Sequence, residues 1–254
     1  MEDEDSIIAP PLLNLVSPAH SRVSWQLPQC SGNHGREPFD NMATCEVGES
    51  DSEGYLLGID IGTSTVKAVL VRKVDHRVVD EKYKSLGSHV EVQIADAHER
   101  SVGEIFSCVE DCVSRFSPSA LGHVSGIGVS GQMHGCVLWK STGVLFRKGH
   151  LYYEQEACSN FLTWQDGRCT PDFLSSLPPT HQPIPISAGY GCATLAWMQR
   201  FQPQILSKFD RAGTIMDLLV SALCGNPAKV VMSSQNAASW GYLDINSVAW
   251  EKDL

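Results

Sequence analysis

The sequence predicts a mixed α/β fold that contains antiparallel strands. Short apolar runs typical of buried strands alternate with apolar residues at helical spacing. Two of these runs are joined by a polar turn of four residues, as in a β-hairpin, and not by the helix of a regular βαβ array. With 254 residues, of which 43% are hydrophobic and 19% charged, the chain is long and apolar enough to bury a sizeable core.

Charge and cysteine content exclude several classes of protein. The chain has 19 Lys and Arg against 29 Asp and Glu, a net charge of −10, which argues against broad binding to nucleic acid or to an anionic membrane. No apolar run approaches the roughly 18 residues of a membrane span. Nine cysteines occur without a CxxC pair or zinc-ligand spacing, and the acidic N-terminus does not fit a secretory signal. These features predict a cytoplasmic protein.

The chain divides into an extension and a domain. Residues 1–53 mix proline, serine and acidic residues without a sustained period, so we predict a disordered acidic extension there. From residue 54 onward the pattern becomes regular, and residues 54–254 are predicted to form the folded domain.

The elements of that domain follow from local patterns. Apolar and β-branched runs predict strands at residues 56–61, 66–71, 77–83, 124–129 and 136–139. Helical spacing predicts helices at residues 102–116, 193–201 and 212–224, the first capped by Asp96 and ended by Pro118. Cys108 and Cys112 lie four apart on the first helix and are interpreted as buried thiols. Four prolines predict a loop at residues 175–185.

The first motif lies in the hairpin, at residues 57–67. Its acid, Asp60, ends one strand and is suited to a hydrated Mg²⁺, while Lys67 begins the next strand and can neutralise charge. Backbone N–H groups and hydroxyls of the turn suit phosphate oxygens, and the residues concerned are Gly62, Thr63, Ser64 and Thr65. The alternative is an ordinary hairpin whose hydroxyls bind their own backbone. No Walker loop occurs.

The second motif is GIGVSGQMHG at residues 126–135. Its first six residues match the dinucleotide fingerprint GxGxxG, but a turn and another strand are predicted after it, so a nicotinamide site is disfavoured. Gln132, Met133 and His134 follow a buried strand and are framed by glycines that let a ligand approach the backbone. The alternative is a structural histidine.

Two further polar segments follow. In residues 163–169, Trp164, Asp166 and Arg168 could stack on and hydrogen-bond a polyol, or could equally form an Asp–Arg pair in a turn with an anchoring Trp. Residues 232–242 are predicted to form a polar turn between apolar stretches, which loop capping explains equally well.

Taken together, the motifs resemble one family. The segments LLGIDIGTSTVKAVLV, GIGVSGQMHG, WQDGRC, GYGCAT, AGTIMDLLVSALCG and SSQNAASWGYLD are similar, in this order, to the amino-terminal lobe of FGGY carbohydrate kinases. The resemblance covers residues 55–250. GQMHG with WQDGRC looks like the ketose-kinase branch, and the last three segments look most like sedoheptulokinases, with xylulokinases next.

The resemblance implies a ribonuclease-H-like, actin-like ATPase fold, a mixed sheet with flanking helices, of which this chain holds the amino-terminal lobe. It implies ATP and Mg²⁺ as cofactors and a ketose as substrate, most favourably sedoheptulose converted to its 7-phosphate. By position, Asp60 orients a Mg²⁺-bound water, the 62–65 turn and Lys67 bind phosphates, and Asp217 is a weaker candidate. The implied sugar contacts are Gln132, Met133, His134, Trp164, Asp166 and Arg168.

One departure from the family pattern affects the expected activity. The family's catalytic base is an aspartate in a Gly-Asp turn, which the resemblance places beyond residue 254 together with the second lobe. We therefore expect a chain truncated before the base and inactive by itself. The alternatives are a non-catalytic sugar- or partner-binding fragment and a xylulokinase-like pentulose kinase. An actin- or chaperone-like ATPase shares the hairpin but has no use for the sugar motifs.

Overall fold

The structure is a computed structural model. It describes residues 17–18, 54–147, 150–153, 156–182, 185–225, 230–244, 246–247 and 249–251. Strand β1 (Ser17–Pro18) pairs in parallel with a later strand at Val231–Met232. Apart from these two residues, the predicted disorder of residues 1–53 lies outside the described part of the chain.

A four-stranded mixed sheet organises the first half of the domain. The predicted hairpin is confirmed, because its two strands are antiparallel from Tyr55↔Arg72 to Ile61↔Val66. The glycine-rich strand joins the sheet in parallel to the first hairpin strand. The strand order is β4-β3-β2-β6, with β2 (Tyr55–Ile61), β3 (Thr65–Arg72), β4 (Val78–Ser85) and β6 (Val124–Gly131).

One face of this sheet is covered by helix α1 (Val102–Ser114). Ile105 and Cys112 of the helix are fully buried, in one core with Leu57, Ile59 and Ile61 of β2. At about 25 cal/mol per Å², burial of such side chains is the main stabilising contribution to this layer. Cys108 is buried as predicted, and burial raises the pKa of both helix thiols, which makes them unreactive.

The ends of α1 differ from the prediction. Its N-cap is Ser101, whose Oγ accepts the Glu104 N–H at 3.3 Å; Asp96 lies earlier, in the loop before β5 (Glu99–Arg100). The helix ends at Ser114, and Pro118 begins a second short helix, α2 (Pro118–Gly122). Proline is tolerated there because the first turn of a helix needs no N–H from it.

Part of the second half of the domain, including Ile215 and Leu218, packs into the first core, and other short elements surround a separate core. Trp240 and Leu195 are fully buried in it, beside Cys192 and Met232. The remaining elements are β7 (Val137–Trp139), β8 (Val144–Arg147), β9 (His150–Tyr153), β10 (Phe161–Leu162), α3 (Pro171–Ser175), α4 (Gly191–Phe201), α5 (Pro203–Leu206), β11 (Arg211–Gly213), α6 (Ile215–Leu223), β12 (Val231–Met232), α7 (Ser234–Trp240), β13 (Leu243–Asp244) and β14 (Ala249–Trp250).

Two predictions in this half differ from the structure: one helix is confirmed but starts later, and one predicted turn is wrong. The helix predicted over residues 212–224 begins only at Ile215, because β11 pairs with β7 up to Gly213 and Thr214 then caps the helix. The polar turn predicted over residues 232–242 is mostly α7, which is capped by Ser233 and held by the buried Trp240. Among the described residues, none of the helices is long and apolar enough to cross a membrane.

Candidate active site

The open face of the sheet carries the first group of polar residues. Side chains alternate along a strand, so Ile59 points to the core and Asp60 to the opposite face. Paired residues of adjacent strands share a face, which places Lys67 of β3 and Ser130 of β6 on either side of Asp60. Asp60 is half-buried and accepts a hydrogen bond from Ser130 Oγ at 2.9 Å.

This face forms an open cleft of about 390 Å³. Two glycines directly paired across β2 and β6, Gly58 and Gly128, keep its floor free of side chains. A single half-exposed carboxylate in an open cleft fits Mg²⁺, which keeps most of its waters and is held by one or two carboxylates together with ligand oxygens. Within the described ranges, no cluster of three or more His, Cys, Asp or Glu side chains could hold a metal alone. The donor set therefore fits hydrated Mg²⁺.

Residues 62–65, which we call the phosphate turn, join β2 to β3. The Gly62 N–H closes the turn by donating to Thr65 O at 3.0 Å, so this N–H is not available to a phosphate. In the described part of the chain, the N–H groups of Thr63 and Ser64 have no backbone acceptor. A Cβ at Gly62 would lie 3.0 Å from Thr65 O and 3.9 Å from Asp60 Oδ2, so glycine permits the tight turn beside the carboxylate. Gly62 therefore contributes a compact turn and does not donate a hydrogen bond to a phosphate.

His134 lies at the carboxyl end of β6, in a left-handed backbone conformation with φ 60°. Its Nδ1 is 2.6 Å from the carbonyl oxygen of Ser239. A carbonyl only accepts, so Nδ1 carries a proton, and Nε2 is the ring nitrogen left to contact a ligand. The ring stacks on Tyr190 with centroids 4.3 Å apart and planes at 10°. Both contacts fix the orientation in which Nε2 is presented.

The chain segments behind His134 hold it rigidly. Gly135, with φ 70°, donates its N–H to Gly189 O at 2.9 Å and accepts from Trp240 Nε1 at 2.9 Å. Analysis of the sequence missed Tyr190, Ser239 and Trp240 as supports of the site. The available signal was weak: residues 189–194 and 233–244 belonged to the family resemblance, without a chemical reason for a role in the site.

Gln132 connects residues 133–135, which we call the histidine segment, to the phosphate turn. Its backbone N–H donates to Ile61 O at 2.9 Å, and its side-chain Nε2 donates to Gly62 O at 3.2 Å. The side chain is 8% exposed, and among the described residues Oε1 is a buried acceptor without a partner. Met133, in contrast, is 61% exposed. Gln132 thus positions the turn and leaves one oxygen for a donor from a ligand or a water.

Trp164 makes a second connection. Its indole Nε1 donates to Thr63 Oγ1 at 3.1 Å, although the two residues are 101 positions apart in the chain. The side chain remains 46% exposed, so an aromatic face is available to a ligand. The structure therefore brings together the first, second and third motifs, through the contacts of Gln132 and Trp164 with the phosphate turn.

Asp166 and Arg168 do not reach that site, which corrects the expectation that they contact the sugar. Their side chains are 1% and 2% exposed. Arg168 binds both oxygens of Asp166, with Nε–Oδ1 at 2.7 Å and Nη2–Oδ2 at 2.9 Å, and Nη2 also lies 2.5 Å from Glu99 Oε1. Asp166 Oδ2 additionally accepts the His98 N–H at 2.8 Å. The alternative interpretation, a structural Asp–Arg pair in a turn, describes these two residues.

Electrostatics explain why this pair persists in the interior. Burial alone would lower the pKa of Arg168, but hydrogen bonds and negative charge from Asp166 and Glu99 raise the pKa overall. The second oxygen of Glu99 accepts from Asn160 Nδ2 at 2.9 Å, so each carboxylate is hydrogen-bonded. The loop at residues 163–168, which we call the tryptophan loop, is therefore anchored in the interior by Asp166 and Arg168, while Trp164 remains exposed.

Asp217 serves as a helix cap. Its Oδ2 accepts from Thr214 N at 2.8 Å and from Thr214 Oγ1 at 2.7 Å, which completes a capping box at the start of α6. Burial raises its pKa to about 6 even though hydrogen bonds from Thr214 and Asn236 favour the charged form. The contacts of Asp217 are therefore those of a residue that caps a helix.

Comparisons with known proteins identify the family to which the chain is similar. Residues 55–254 match the model of the FGGY family of carbohydrate kinases, N-terminal domain. The chain is 40% identical to sedoheptulokinase of Homo sapiens over 206 residues, which are 76% of this chain and 43% of that protein.

Solved structures show the same architecture. Xylulose kinase from Rhodospirillum rubrum superposes with a TM-score of 0.62 at 19% identity, over 78% of this chain and 40% of that one. Glycerol kinase from Plasmodium falciparum, solved with ADP, has a TM-score of 0.60 at 17% identity, over 78% and 39% of the two chains.

The mixed sheet and these superpositions confirm the predicted actin-like ATPase fold. The chain spans about two fifths of the length of the human relative. The match over residues 55–254 also confirms the resemblance seen in the motifs. This chain belongs to the FGGY family of carbohydrate kinases, and the matched residues correspond to the family's N-terminal domain.

Proposed function

We propose that this chain forms the sugar- and phosphate-binding lobe of an ATP-dependent ketose kinase, and that the preferred acceptor is sedoheptulose, phosphorylated at its 7-hydroxyl. The observation that carries the proposal is the meeting of the phosphate turn with the histidine segment and Trp164. Two side-chain hydrogen bonds join them, Gln132 Nε2 to Gly62 O and Trp164 Nε1 to Thr63 Oγ1. A kinase requires this proximity of donor and acceptor sites.

On the phosphate side, three kinds of group act together. The N–H groups and hydroxyls of Thr63 and Ser64 bind the terminal phosphate oxygens, Lys67 offsets their charge, and Asp60 accepts from a Mg²⁺-bound water. Bound ATP·Mg²⁺ supplies the γ-phosphoryl group and the positive charge that neutralises it. The chain's own contribution is position and charge neutralisation, which dominate catalysis of phosphoryl transfer.

On the sugar side, His134 Nε2 accepts a hydrogen bond from a ketose hydroxyl, because Nδ1 is already committed to Ser239 O. The exposed side chain of Met133 and the face of Trp164 cover the C–H surface of the sugar. Asp166 and Arg168 contribute by holding the tryptophan loop. Removal of the proton from the attacking hydroxyl is assigned to an aspartate outside these residues, in keeping with the family pattern.

The choice of sugar is supported by similarity and not by the site geometry. Identity is 40% to human sedoheptulokinase but 25% to xylulose kinase of Klebsiella pneumoniae, over comparable lengths. A pentulose kinase is the second candidate, because the similar sequences and folds include xylulose kinases. We also propose a cytoplasmic location, where ATP and sugar substrates are both available.

Sugar binding is tested by isothermal titration of the 254-residue chain with sedoheptulose and D-xylulose. We expect His134→Ala to weaken sedoheptulose binding about 2- to 10-fold, the effect of one lost hydrogen bond. The matched control is His123→Ala, whose Nδ1 also lies 2.8 Å from a backbone carbonyl, that of Ser119, but on the exposed α2. Equal affinity in both variants would remove His134 from the sugar site.

Turnover distinguishes the kinase from a non-catalytic binding fragment. A coupled ADP assay is run on the chain and on a fusion in which residues 55–254 replace the matched part of human sedoheptulokinase. We expect no turnover from the chain and sedoheptulose-dependent ADP release from the fusion. Sugar binding without turnover in a folded fusion would favour the fragment that binds sugar or a partner and transfers nothing.

A further inference from the structure

Trp164 occupies an unusual position between the two halves of the site. It is 46% exposed, in a loop whose Thr163 and Asp166 are buried, with 0% and 1% exposure. Its indole reaches the phosphate turn, at Thr63. Its backbone carbonyl abuts Gly189, where a Cβ would collide with it. A single residue thus contacts both the turn and the segment that supports the histidine.

The hydrogen bond at Thr63 has a defined direction. An indole N–H can only donate, so Thr63 Oγ1 accepts from it at 3.1 Å. A hydroxyl has one proton and two lone pairs, and with one lone pair occupied by Trp164 its proton remains free to donate. The bond also restricts rotation of the hydroxyl. Trp164 therefore turns Thr63 into an oriented donor for an anion.

The contact between Trp164 and the segment that supports His134 is also defined. Gly135, next to His134, donates its N–H to Gly189 O at 2.9 Å. Gly189 has φ 78° and is in close contact with the Trp164 carbonyl. The tryptophan loop itself cannot shift easily, because Asp166 receives hydrogen bonds from Arg168 and from the His98 backbone. The loop therefore holds the indole in a fixed position relative to the histidine segment.

The geometry points to Trp164 as a positioning residue for the phosphate turn, through which occupation of the sugar site and affinity for the terminal phosphates are coupled. This inference rests on the proposed function, since it requires a phosphate at the turn and a ketose beside His134. It assigns to Trp164 a role toward the nucleotide in addition to its contact with the sugar. Because coupling between sites is reciprocal, each ligand alters the affinity for the other by the same factor.

The test uses Mg²⁺-tripolyphosphate as the probe, titrated calorimetrically into the 254-residue chain with and without saturating sedoheptulose. Trp164→Phe keeps an aromatic ring and removes the N–H, and Thr63→Val removes the acceptor. We expect each variant to weaken tripolyphosphate binding about 2- to 10-fold, the effect of one hydrogen bond. We also expect the double variant to bind no more weakly than Thr63→Val alone. Sedoheptulose should change the affinity in the native chain but not in Trp164→Phe.

Three controls separate a positioning role from a structural one. Trp197→Phe, which alters a tryptophan packed over Arg168 at 5.2 Å, should leave tripolyphosphate affinity unchanged. Thr63→Ser keeps the hydroxyl and should restore binding. The Trp164 indole N–H resonance, assigned by its loss in Trp164→Phe, should shift in Thr63→Val.

Results that contradict these expectations distinguish failure of the inference from failure of the proposed function. Additive effects in the double variant, native affinity in Trp164→Phe, or an unmoved indole resonance in Thr63→Val would overturn the inference and leave the proposed function standing. A native chain that binds no tripolyphosphate would overturn the phosphate site of the proposed function, and the inference with it.

Discussion

The phosphate turn and the tryptophan loop are built from similar residues but use them in opposite ways. Each segment combines threonine, glycine, aspartate and a basic side chain within or next to a turn. Around the phosphate turn, Asp60 is half-buried and Lys67 is exposed, so their charges face an open cleft. In the tryptophan loop, Asp166 and Arg168 neutralise each other in the interior.

The difference shows that residue type alone does not identify a binding group. A charged side chain is available to a ligand when its partners leave it incompletely satisfied, and it is structural when nearby groups satisfy it fully. Asp60 has one partner among the described side chains, Ser130, whereas the two oxygens of Asp166 accept from Arg168 and from the His98 backbone. The predictions below test this distinction, from the largest expected effect to the smallest.

The largest effect is expected at Arg168. Arg168→Met leaves Asp166 and Glu99 as buried carboxylates without their cation, which should lower the free energy of unfolding by about 3–5 kcal/mol. Urea denaturation of the 254-residue chain measures it. The control is Arg72→Met, whose ion pair with Asp75 at 3.1 Å is solvent-exposed, with an expected loss below about 1 kcal/mol. Equal losses of unfolding free energy in the two variants would contradict the distinction between buried and exposed charge pairs.

The second effect concerns Asp217, a buried acid whose pKa is raised to about 6. The folded state binds this proton more tightly than the unfolded state, whose ordinary value is 3.8. Its contribution to stability is therefore complete below pH 3.8 and is lost as the pH rises through 6, a change of about 3 kcal/mol.

Asp217→Asn removes this titration and keeps an oxygen to accept from Thr214. We expect the variant to gain stability relative to the native chain as the pH rises from about 4 to about 7. Urea denaturation across this range measures the difference. Asp217→Ala is the control, because it also removes the titration but loses the cap and about 1 kcal/mol with it. A difference between native chain and Asn variant that does not change with pH would contradict the raised pKa.

Much of the fold was accessible from local pattern, and the reasons for the failures are physical. The hairpin was predicted because β2 and β3 are apolar runs joined by a short polar turn. Strand β11 was missed because Arg211–Gly213 has no strand pattern and exists only through pairing with β7. Helix α7 was missed because its Ser, Gln and Asn residues favour turns, and burial of Trp240 decides otherwise.

The candidate site was also predictable only where local sequence pattern determines the structure. Asp60 could be selected because it lies near the end of a strand, just before a glycine-containing turn, and His134 because it follows a strand and is framed by glycines. The burial of Arg168 could not be predicted, because its second carboxylate partner, Glu99, lies 69 residues earlier in the chain. The contact of Trp164 with Thr63 spans 101 residues. Contacts at such separations depend on the completed fold.

A third prediction concerns Asp60 and reverses the pattern expected for Arg168. Asp60→Asn keeps an oxygen for Ser130 Oγ, so the free energy of unfolding should change by less than about 0.5 kcal/mol. The carboxylate charge is lost, and Mg²⁺-dependent tripolyphosphate binding should weaken about 10- to 100-fold. Calorimetric titration with and without Mg²⁺ measures this. Unchanged Mg²⁺ dependence, or a large loss of stability, would place Asp60 among the structural charges.

The smallest effect is expected at His98, which borders the tryptophan loop through a 2.6 Å contact between its Nδ1 and Thr163 Oγ1. Burial lowers the pKa of His98 below 6.5, helped by the charges of His89 and Arg100 and opposed by Asp166. The folded state therefore resists protonation, and stability should be complete above pH 6.5 and decline as the pH falls below it.

His98→Gln should remove part of that decline while its backbone N–H still binds Asp166. The comparison is made by urea denaturation at about pH 7.5 and about pH 5.5, on either side of the ordinary histidine value. His123→Gln, on the exposed α2, is the matched control and should follow the native chain. If His98→Gln also followed the native chain, the loop's polar groups would be open to solvent, and the contrast with the phosphate turn would be weaker than the burial of Asp166 indicates.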